Sequence, residues 1–496
     1  MKKFQSILLS VGMVCIVLSF SMACGQEWGA MSTVPVWQGS WQVSNEVPQF
    51  PPQTMPVPPP PQQPALPAQA IPYYPAPNYA ADRSLDELAQ EIDNLKRELA
   101  KKSDKPDPAK GFTAPRIGGR IFMDSVNIMN QDNGGLTEMG RGKNLLGFPV
   151  ARLSASGTAY DFLDYNLELG FEGKSEVFFR HVFLGINHVP VLGYVRIGNQ
   201  FVEDAGSEIC NPTTNFTFMD APSPVGNQFT FRRLGVTSRH LFARNRVRMF
   251  FGAFGARDVS DIHMSNADNQ GIILNTRLTH ALMYQKEGRN VFLYGGYYAF
   301  TDPQSAKTNS RPIRWDLGVK TLTDDIVAEN GHKMGFETAY QNGALCLQSD
   351  LFVRHFSGVN TTDDDATMYG GFVMGRYFLT EGDYRKYNLE NAAWGAVVAN
   401  RPFLLFQRGS SNFMQGPGAW EVATYYGFLS TDDFKNVTGH AHYGTDHQIG
   451  TALNWYWNPQ LKWALNYVHQ MANTTFKGQG YKPSMDIIAL SCRLHW

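Results

Sequence analysis

The sequence closes on MDIIALSCRLHW, Met485–Trp496. Counting back in twos from Trp496 gives Leu494, Cys492, Leu490 and Ile488, mostly large and apolar, while His495, Arg493, Ser491 and Ala489 are small or polar. A period of two is a strand with one apolar and one hydrated face. Chain ends are usually frayed and polar, so a tryptophan closing such a strand predicts a ring seated at a membrane–water boundary.

The same alternation recurs from Arg116 onwards. Leu461, Trp463, Leu465 and Tyr467 oppose Lys462, Ala464 and Asn466, and Thr451, Leu453, Trp455 and Trp457 oppose Ala452, Asn454 and Tyr456. Trp457-Asn-Pro-Gln460 joins these two runs as a hairpin. A second hairpin joins Glu337–Tyr340 to Ala344–Val353 through the turn signal Asn342-Gly343. About sixteen or seventeen such runs fit between Arg116 and Trp496. Bacterial single-chain barrels have even strand numbers, so the predicted fold is an all-β transmembrane antiparallel barrel of sixteen strands, with eighteen as the fallback. Each run should be apolar outward and polar inward. Short turns near Glu287-Gly288, Asn342-Gly343 and Asn458-Pro459 alternate with long polar loops at 131–143, 203–227 and 380–415, expected at opposite ends of the barrel.

Composition agrees. Of 496 residues, 43% are hydrophobic, 13% aromatic and 46 are glycine, yet mean hydropathy is −0.29. That combination suits a barrel and not a bundle of apolar helices of about 20 residues. A formal charge of −1 carries no basic excess of the nucleic-acid-binding kind. The five cysteines, Cys15, Cys24, Cys210, Cys346 and Cys492, form no CxxC or disulfide framework, and Cys346 and Cys492 read as small apolar fillers.

Residues 1–23 read as a secretory signal: Lys2-Lys3, an apolar Ile7–Phe20 and a small-x-small site at Ser21-Met-Ala23. Cleavage before Cys24 as a lipoprotein is the rival. Residues 24–80 are a proline-rich, low-complexity spacer. In 81–105, Leu85, Leu88, Ile92, Leu95 and Leu99 are spaced 3-4-3-4 behind a Ser84/Glu87 capping box, a short coiled-coil helix that points to oligomerisation, with a trimer as the expectation. The barrel is assigned to 112–496. The arm before it would lie in the periplasm, where it could meet peptidoglycan or another cell-wall polymer.

Several stretches resemble the phosphate-selective porin O and P family: RIGGRIFMDS (116–125), DYNLELGFEG (164–173), VFLGINHVPVLGYVRIGNQF (182–201), MGRYFLTEGDYRKY (374–387), GAWEVATYYGFL (418–429) and ALNWYWNPQLKWALNYV (452–468). The resemblance implies a sixteen-stranded barrel in the lipid bilayer of the outer membrane, a homotrimer, and passage of small anions such as phosphate past pore-lining basic residues. Where many relatives carry Lys-x-Pro after the LGxVRxG strand, this chain has Gln200-Phe201-Val202-Glu203, which bears against phosphate specificity.

Selection in a pore is set by width and by lining charge, and guanidinium forks suit oxyanions. The densest basic segment is Arg232, Arg233, Arg239, Arg244, Arg246, Arg248 and Arg257. With Val247, Met249 and Phe251 toward lipid, Arg246 and Arg248 are expected inward. Arg233 falls where the resemblance puts a recurrent arginine before LGV. Arg116 and Arg120 share a face opposite Ile117, Ile121 and Met123, Arg196 lies between outward Val195 and Ile197, and Arg493 alternates with the apolar set of the last strand. These seven (Arg116, Arg120, Arg196, Arg233, Arg246, Arg248, Arg493) are the candidate anion-binding residues. Trp455, Trp457, Trp463 and Trp496 are the candidate interface anchors. Asp164, Glu168, Glu172 and Glu421 also face inward, so a weakly selective general porin is the nearest alternative.

In GHAHYGTDHQ, His440, His442, Asp446 and His447 are ligand types, but the stretch reads as a solvated loop without metal geometry. Asp363–Asp365 and 130–133 lack the spacing of a calcium loop. No GxSxG, HExxH or P-loop is present, so neither enzyme activity nor a cofactor is expected. A structural reading remains, in which the barrel anchors an envelope tether and residues 26–110 are the working part.

Overall fold

The protein is described here from a computed structural model. The structure describes residues 111 and 113–496 except 136–141, 173–176, 257–270, 303, 308–324, 360–363, 407–412, 415 and 439–441. The leader, the proline-rich spacer and the helix with Leu85, Leu88, Ile92, Leu95 and Leu99 lie outside the described residues, as do Arg257, Asp363 and His440.

The alternating runs form one closed sheet of sixteen wall strands. They are β1 (Arg116–Asp132), β2 (Leu145–Ala159), β3 (Leu163–Gly170), β4 (Phe178–Val189), β5 (Gly193–Phe201), β6 (Arg232–Phe242), β7 (Val247–Gly255) and β8 (Ile272–Gln285). The second half is β9 (Asn290–Asp302), β10 (Asn330–Asn342), β11 (Leu345–Ser357), β12 (Ala366–Phe378), β13 (Ala419–Ser430), β14 (His442–Tyr456), β15 (Leu461–Phe476) and β16 (Ser484–His495). Each pairs antiparallel with the next, and β16 pairs with β1. A three-residue strand, Gln479–Tyr481, extends one end of β15 without adding to the wall. Closure leaves no unpaired edge, the condition a bilayer imposes on a sheet.

At the seam the chain end is tied to the first strand. Trp496 N donates to Gly119 O at 3.0 Å and Gly119 N to Trp496 O at 3.1 Å. The indole crosses β1 where Gly119 has no side chain; a Cβ there would sit 2.4 Å from the ring. Trp455, Trp457 and Trp463 gather beside the 457–460 turn, with Trp455 stacked on Trp420 at 4.9 Å and 5.0 Å from Trp457.

Outward positions are apolar as the alternation requires, with Ile117, Leu184, Ile197, Leu234, Phe251 and Leu490 exposed. The inward face departs from expectation. On β11–β14 it carries Phe352, Phe356, Met368, Phe372, Met374, Tyr425, Leu429 and Ala452, all buried. They form one cluster with Ile209, Phe216, Phe218, Val225 and Phe229 of the segment between β5 and β6. A strand covered on both faces has no reason to alternate, so half the lumen is dry.

Connections after even-numbered strands are short (160–162, 190–192, 243–246, 286–289, 343–344, 457–460) with one exception, 379–418 after β12. The long 380–415 stretch therefore belongs to the short-turn end, opposite 133–144 and 202–231. Counting strands decides this, because each antiparallel strand reverses the end at which its connection emerges. The tight turn predicted at Asn342-Gly343 is centred one residue later, on Gly343-Ala344, since Asn342 pairs with Leu345.

Gly119→Val drives a side chain into the Trp496 ring and toward the Arg152 carbonyl, 2.8 Å from the Cβ position. The expected cost is about 1–3 kcal/mol. It should appear as a lower temperature for loss of the compact, heat-modifiable band of the folded barrel on denaturing gels.

Candidate pore constriction

After Phe201 the chain leaves the wall and enters the lumen as 202–231, because charged wall residues hold it there. Both Glu203 carboxylate oxygens accept from Arg248, at 2.7 and 2.6 Å, and Arg277 Nη1 donates to Glu203 at 3.2 Å. Lys333 Nζ reaches Asp204 at 3.3 Å. Gly206 N donates to Asp350 and Ser207 N to Glu337, each at 2.7 Å. Burial alone would raise the Glu203 pKa; Arg248 and then Arg277 bring it down from 4.5 to about 2.

The far limb is held through its backbone on the opposite wall. Lys462 Nζ donates to Phe216 O at 2.9 Å and Thr217 O at 3.2 Å, and Asn454 Nδ2 to Thr217 O at 2.8 Å. Met219 N donates to Asn466 Oδ1 at 2.6 Å, and Arg493 Nη1 to Thr213 O at 2.8 Å. A short helix, α1 (Ser223–Gly226), then lays Pro224 over Gly427 of β13, where a Cβ would be 3.0 Å from the proline ring.

Residues 385–394 of the 379–418 connection enter the same lumen from the short-turn end. Arg248 Nε donates to Glu390 O at 2.8 Å and Arg277 Nη2 to Ala392 O at 2.9 Å. Arg385 donates to Tyr456 Oη at 2.6 Å and contacts Glu421 at 3.4 Å. Asn211 Nδ2 donates to Trp394 O at 2.8 Å, so the two inserted segments touch.

The wall of β1–β6 faces a cavity bounded on its other side by 209–229. An alternating chain of charge runs along this wall: Arg120 donates to Glu168, Arg152 reaches Glu168 at 3.3 Å and Glu172 at 2.8 Å, and Arg180 reaches Glu172 at 2.7 Å. Arg196 Nε donates to Tyr194 Oη at 2.9 Å and stacks over Phe183 at 4.3 Å. Arg232 is buried, its guanidinium 4.2 Å over the Phe201 ring, and its Nε has no hydrogen-bond partner among the described residues.

The candidate residues separate accordingly. Arg120 and Arg196 point inward from β1 and β5, engaged with Glu168 and Tyr194. Arg116 shares the Arg120 face but stands exposed at the end of β1. Arg248 and Arg493 point inward as expected, and both serve to hold the inserted segment. Arg246 does not reach the wall: it lies exposed in the 243–246 turn, donating to Leu282 O at 3.4 Å. Arg233 spends its donors on Ala256 O and Arg232 O at 2.8 and 2.7 Å, leaving its neighbour Arg232 to the cavity. From His442 onward the histidine stretch is strand, not loop: His442 and Asp446 are buried inward on β14, while His447 faces out against Tyr426 Oη at 2.7 Å. The seven candidates did not include Arg152, Arg180, Arg277 or Arg385, the first three being single arginines in otherwise uncharged runs.

The phosphate-selective porin O and P family matches residues 116–477. The chain belongs to that family. It is an outer-membrane porin, a channel by family. No curated protein sequence matches it. Among solved structures, OmpT of Vibrio cholerae in its trimer form is 11% identical, covering 77% of this chain and 99% of its own, at a TM-score of 0.46. An anion-selective porin from Comamonas acidovorans is 13% identical, with coverage of 77% and 99% and a TM-score of 0.45. OprB of Pseudomonas putida is 9% identical, with coverage of 82% and 97% and a TM-score of 0.46.

Two outcomes test the constriction of this porin. Gly427→Val should push α1 off the wall and raise single-channel conductance. The Glu203 carboxylate, depressed to about 2, holds the segment in full above about 4.5 and progressively less as pH falls toward 2. Open-channel noise in planar bilayers should therefore rise as pH falls below about 4.

Proposed function

We propose that this porin favours small anions, works as a homotrimer, and carries residues 24–105 as a periplasmic arm. One observation carries the selectivity: on the wall facing the inserted segment, Arg120, Arg152, Arg180, Arg196 and Arg232 outnumber Asp164, Glu168 and Glu172. Arg493 and Asp124 add one charge of each sign. A surplus of guanidinium in a narrow, partly dry passage attracts anions by local field even when the whole chain is nearly neutral.

Phosphate specificity has less support than general anion preference. Glu203, in the stretch where many relatives carry Lys-x-Pro, is fully engaged by Arg248 and Arg277, so that stretch supplies anchoring and no basic side chain. The sharing of Glu168 and Glu172 among three arginines favours the second reading, a weakly selective general porin. The coiled-coil spacing of Leu85 to Leu99 supports the trimer.

Reversal potentials across a KCl gradient in planar bilayers test the proposal. A potential of the anion-selective sign is expected, and a cation-selective channel would overturn it. Deletion of 26–110 should leave conductance intact; a tether would instead lose its envelope phenotype.

A further inference from the structure

Asp164 on β3 and Arg196 on β5 lie in register with each other, with Gly185 of β4 between them. An acid and an arginine flanking a residue without a side chain should close into an ion pair across it. They do not. Among the described residues no carboxylate is within ion-pair reach of Arg196, whereas Arg120, Arg152 and Arg180 share Glu168 and Glu172, and Arg239 meets Glu390.

Tyr194 stands between them. Its hydroxyl reaches over Gly185, where a Cβ would lie 2.4 Å from Tyr194 Oη and 2.6 Å from Asp164 Oδ2. That hydroxyl donates to Asp164 Oδ2 and accepts from Arg196 Nε at 2.9 Å. Asn187 Nδ2 donates to Asp164 Oδ1 at 3.0 Å, so neutral donors meet both oxygens of the carboxylate. The guanidiniums of Arg196 and Arg239 lie over the Tyr194 ring at 4.9 and 4.6 Å, and Arg196 lies 4.3 Å over Phe183. Half-buried Arg196 is thus held by its Nε and by its faces, and Nη1 and Nη2 have no acceptor among the described residues. Asp164 still acts on that charge, but across the width of a hydroxyl, and Coulomb attraction falls with distance.

We propose that Tyr194 is a positioning residue for anion selectivity. Filling the space over Gly185, it keeps Arg196 and Asp164 from pairing and leaves the outer edge of the Arg196 guanidinium to small anions such as chloride. That edge, with two unspent nitrogens, is the part of an arginine that takes an anion, and an arginine closed onto a carboxylate offers less of it. The inference rests on the anion-preferring reading and names the groups that act for it on this wall.

Purified full-length protein in planar bilayers, under a KCl gradient, gives the chloride-to-potassium permeability ratio. Tyr194→Phe keeps the ring under both guanidiniums and removes only the hydroxyl, so Arg196 closes onto Asp164 and the ratio should fall about twofold. Gly185→Ala, which displaces the hydroxyl, should lower it in the same direction. Asp164→Asn should raise the ratio, and adding Tyr194→Phe to it should change nothing further, because no carboxylate is left to capture Arg196. A hydroxyl needed only for packing would lower the ratio equally with and without Asp164, and that result overturns the inference. Should D164N not insert, Arg196→Gln replaces it: the ratio should fall, and Tyr194→Phe should not move it again. A natural protein of the anion-selective sign that Y194F leaves unaltered overturns the inference alone. A cation-selective natural protein overturns the anion-preferring reading and the inference with it.

Discussion

The constriction depends on one dry guanidinium. The Arg277 side chain has no solvent exposure and spends every nitrogen: Nε on Glu337 at 2.8 Å, Nη1 on Glu203 at 3.2 Å, Nη2 on Ser207 Oγ and Ala392 O at 3.2 and 2.9 Å. Glu337 belongs to the wall, Glu203 and Ser207 to the segment after β5, and Ala392 to the segment from the short-turn end. A charge buried without partners costs several kcal/mol, and breaking such a group by removing one partner typically costs about 3–5 kcal/mol. Once β8 turns Arg277 inward, both inserted segments have a reason to dock on it. Glu203, shared with Arg248, connects the junction to β7.

Charge brings the segments in, but apolar surface keeps one half of the lumen closed. Ile209, Phe216, Phe218, Val225 and Phe229 meet Phe352, Phe356, Phe372 and Met374 with almost no exposure. Each such side chain gains about 1.5–3 kcal/mol on burial, against about 1–2 kcal/mol per residue for fixing the backbone that carries it. The balance favours the inserted state only where large side chains are dense, as they are in 209–229. The β1–β6 wall has few inward groups of that kind near the cavity. Its inward face carries arginines and carboxylates instead, and the cavity lies beside Arg152 and Arg232 of that wall.

Much of the barrel was legible because a bilayer permits little else. Period-two runs, the turn at Asn458-Pro459, an even strand number and outward Ile117, Ile197 and Phe251 all follow from closing a sheet in lipid. The constriction was less legible, for three physical reasons. Alternation reports one dry face, so it fails where both faces are apolar, as at Phe352 and Leu351 or at Met374 and Val373, one of each pair facing the docked segment and the other facing out; apolar runs in β11 and β12 were the available signal. Density along the sequence is not density in space: Arg233, Arg244 and Arg246 crowd a strand end and a turn, while Arg120 and Arg152 stand directly opposite each other on adjacent strands. Strand parity, not loop length, decides which end a connection serves, and 380–415 was misassigned on length.

Near-zero total charge does not make the passage electrically neutral. Surface charges more than about 10 Å apart are screened at physiological salt, so an anion in the cavity responds to its immediate walls and not to the exposed lysines and acids elsewhere. Those walls are unlike. One is a chain in which each shared carboxylate serves two guanidiniums, leaving a positive remainder at Arg232; the other is the ring-lined side of 209–229, backed by the dry core of β11–β14. A low-dielectric wall cannot reorient to screen the charge it faces, so the same guanidinium acts more strongly there than in bulk water. The apolar half of the lumen thus does more than narrow the hole. It sets the dielectric in which the arginine remainder works, so the width of the lumen and the field on which the proposed anion preference relies depend on the same docked segment.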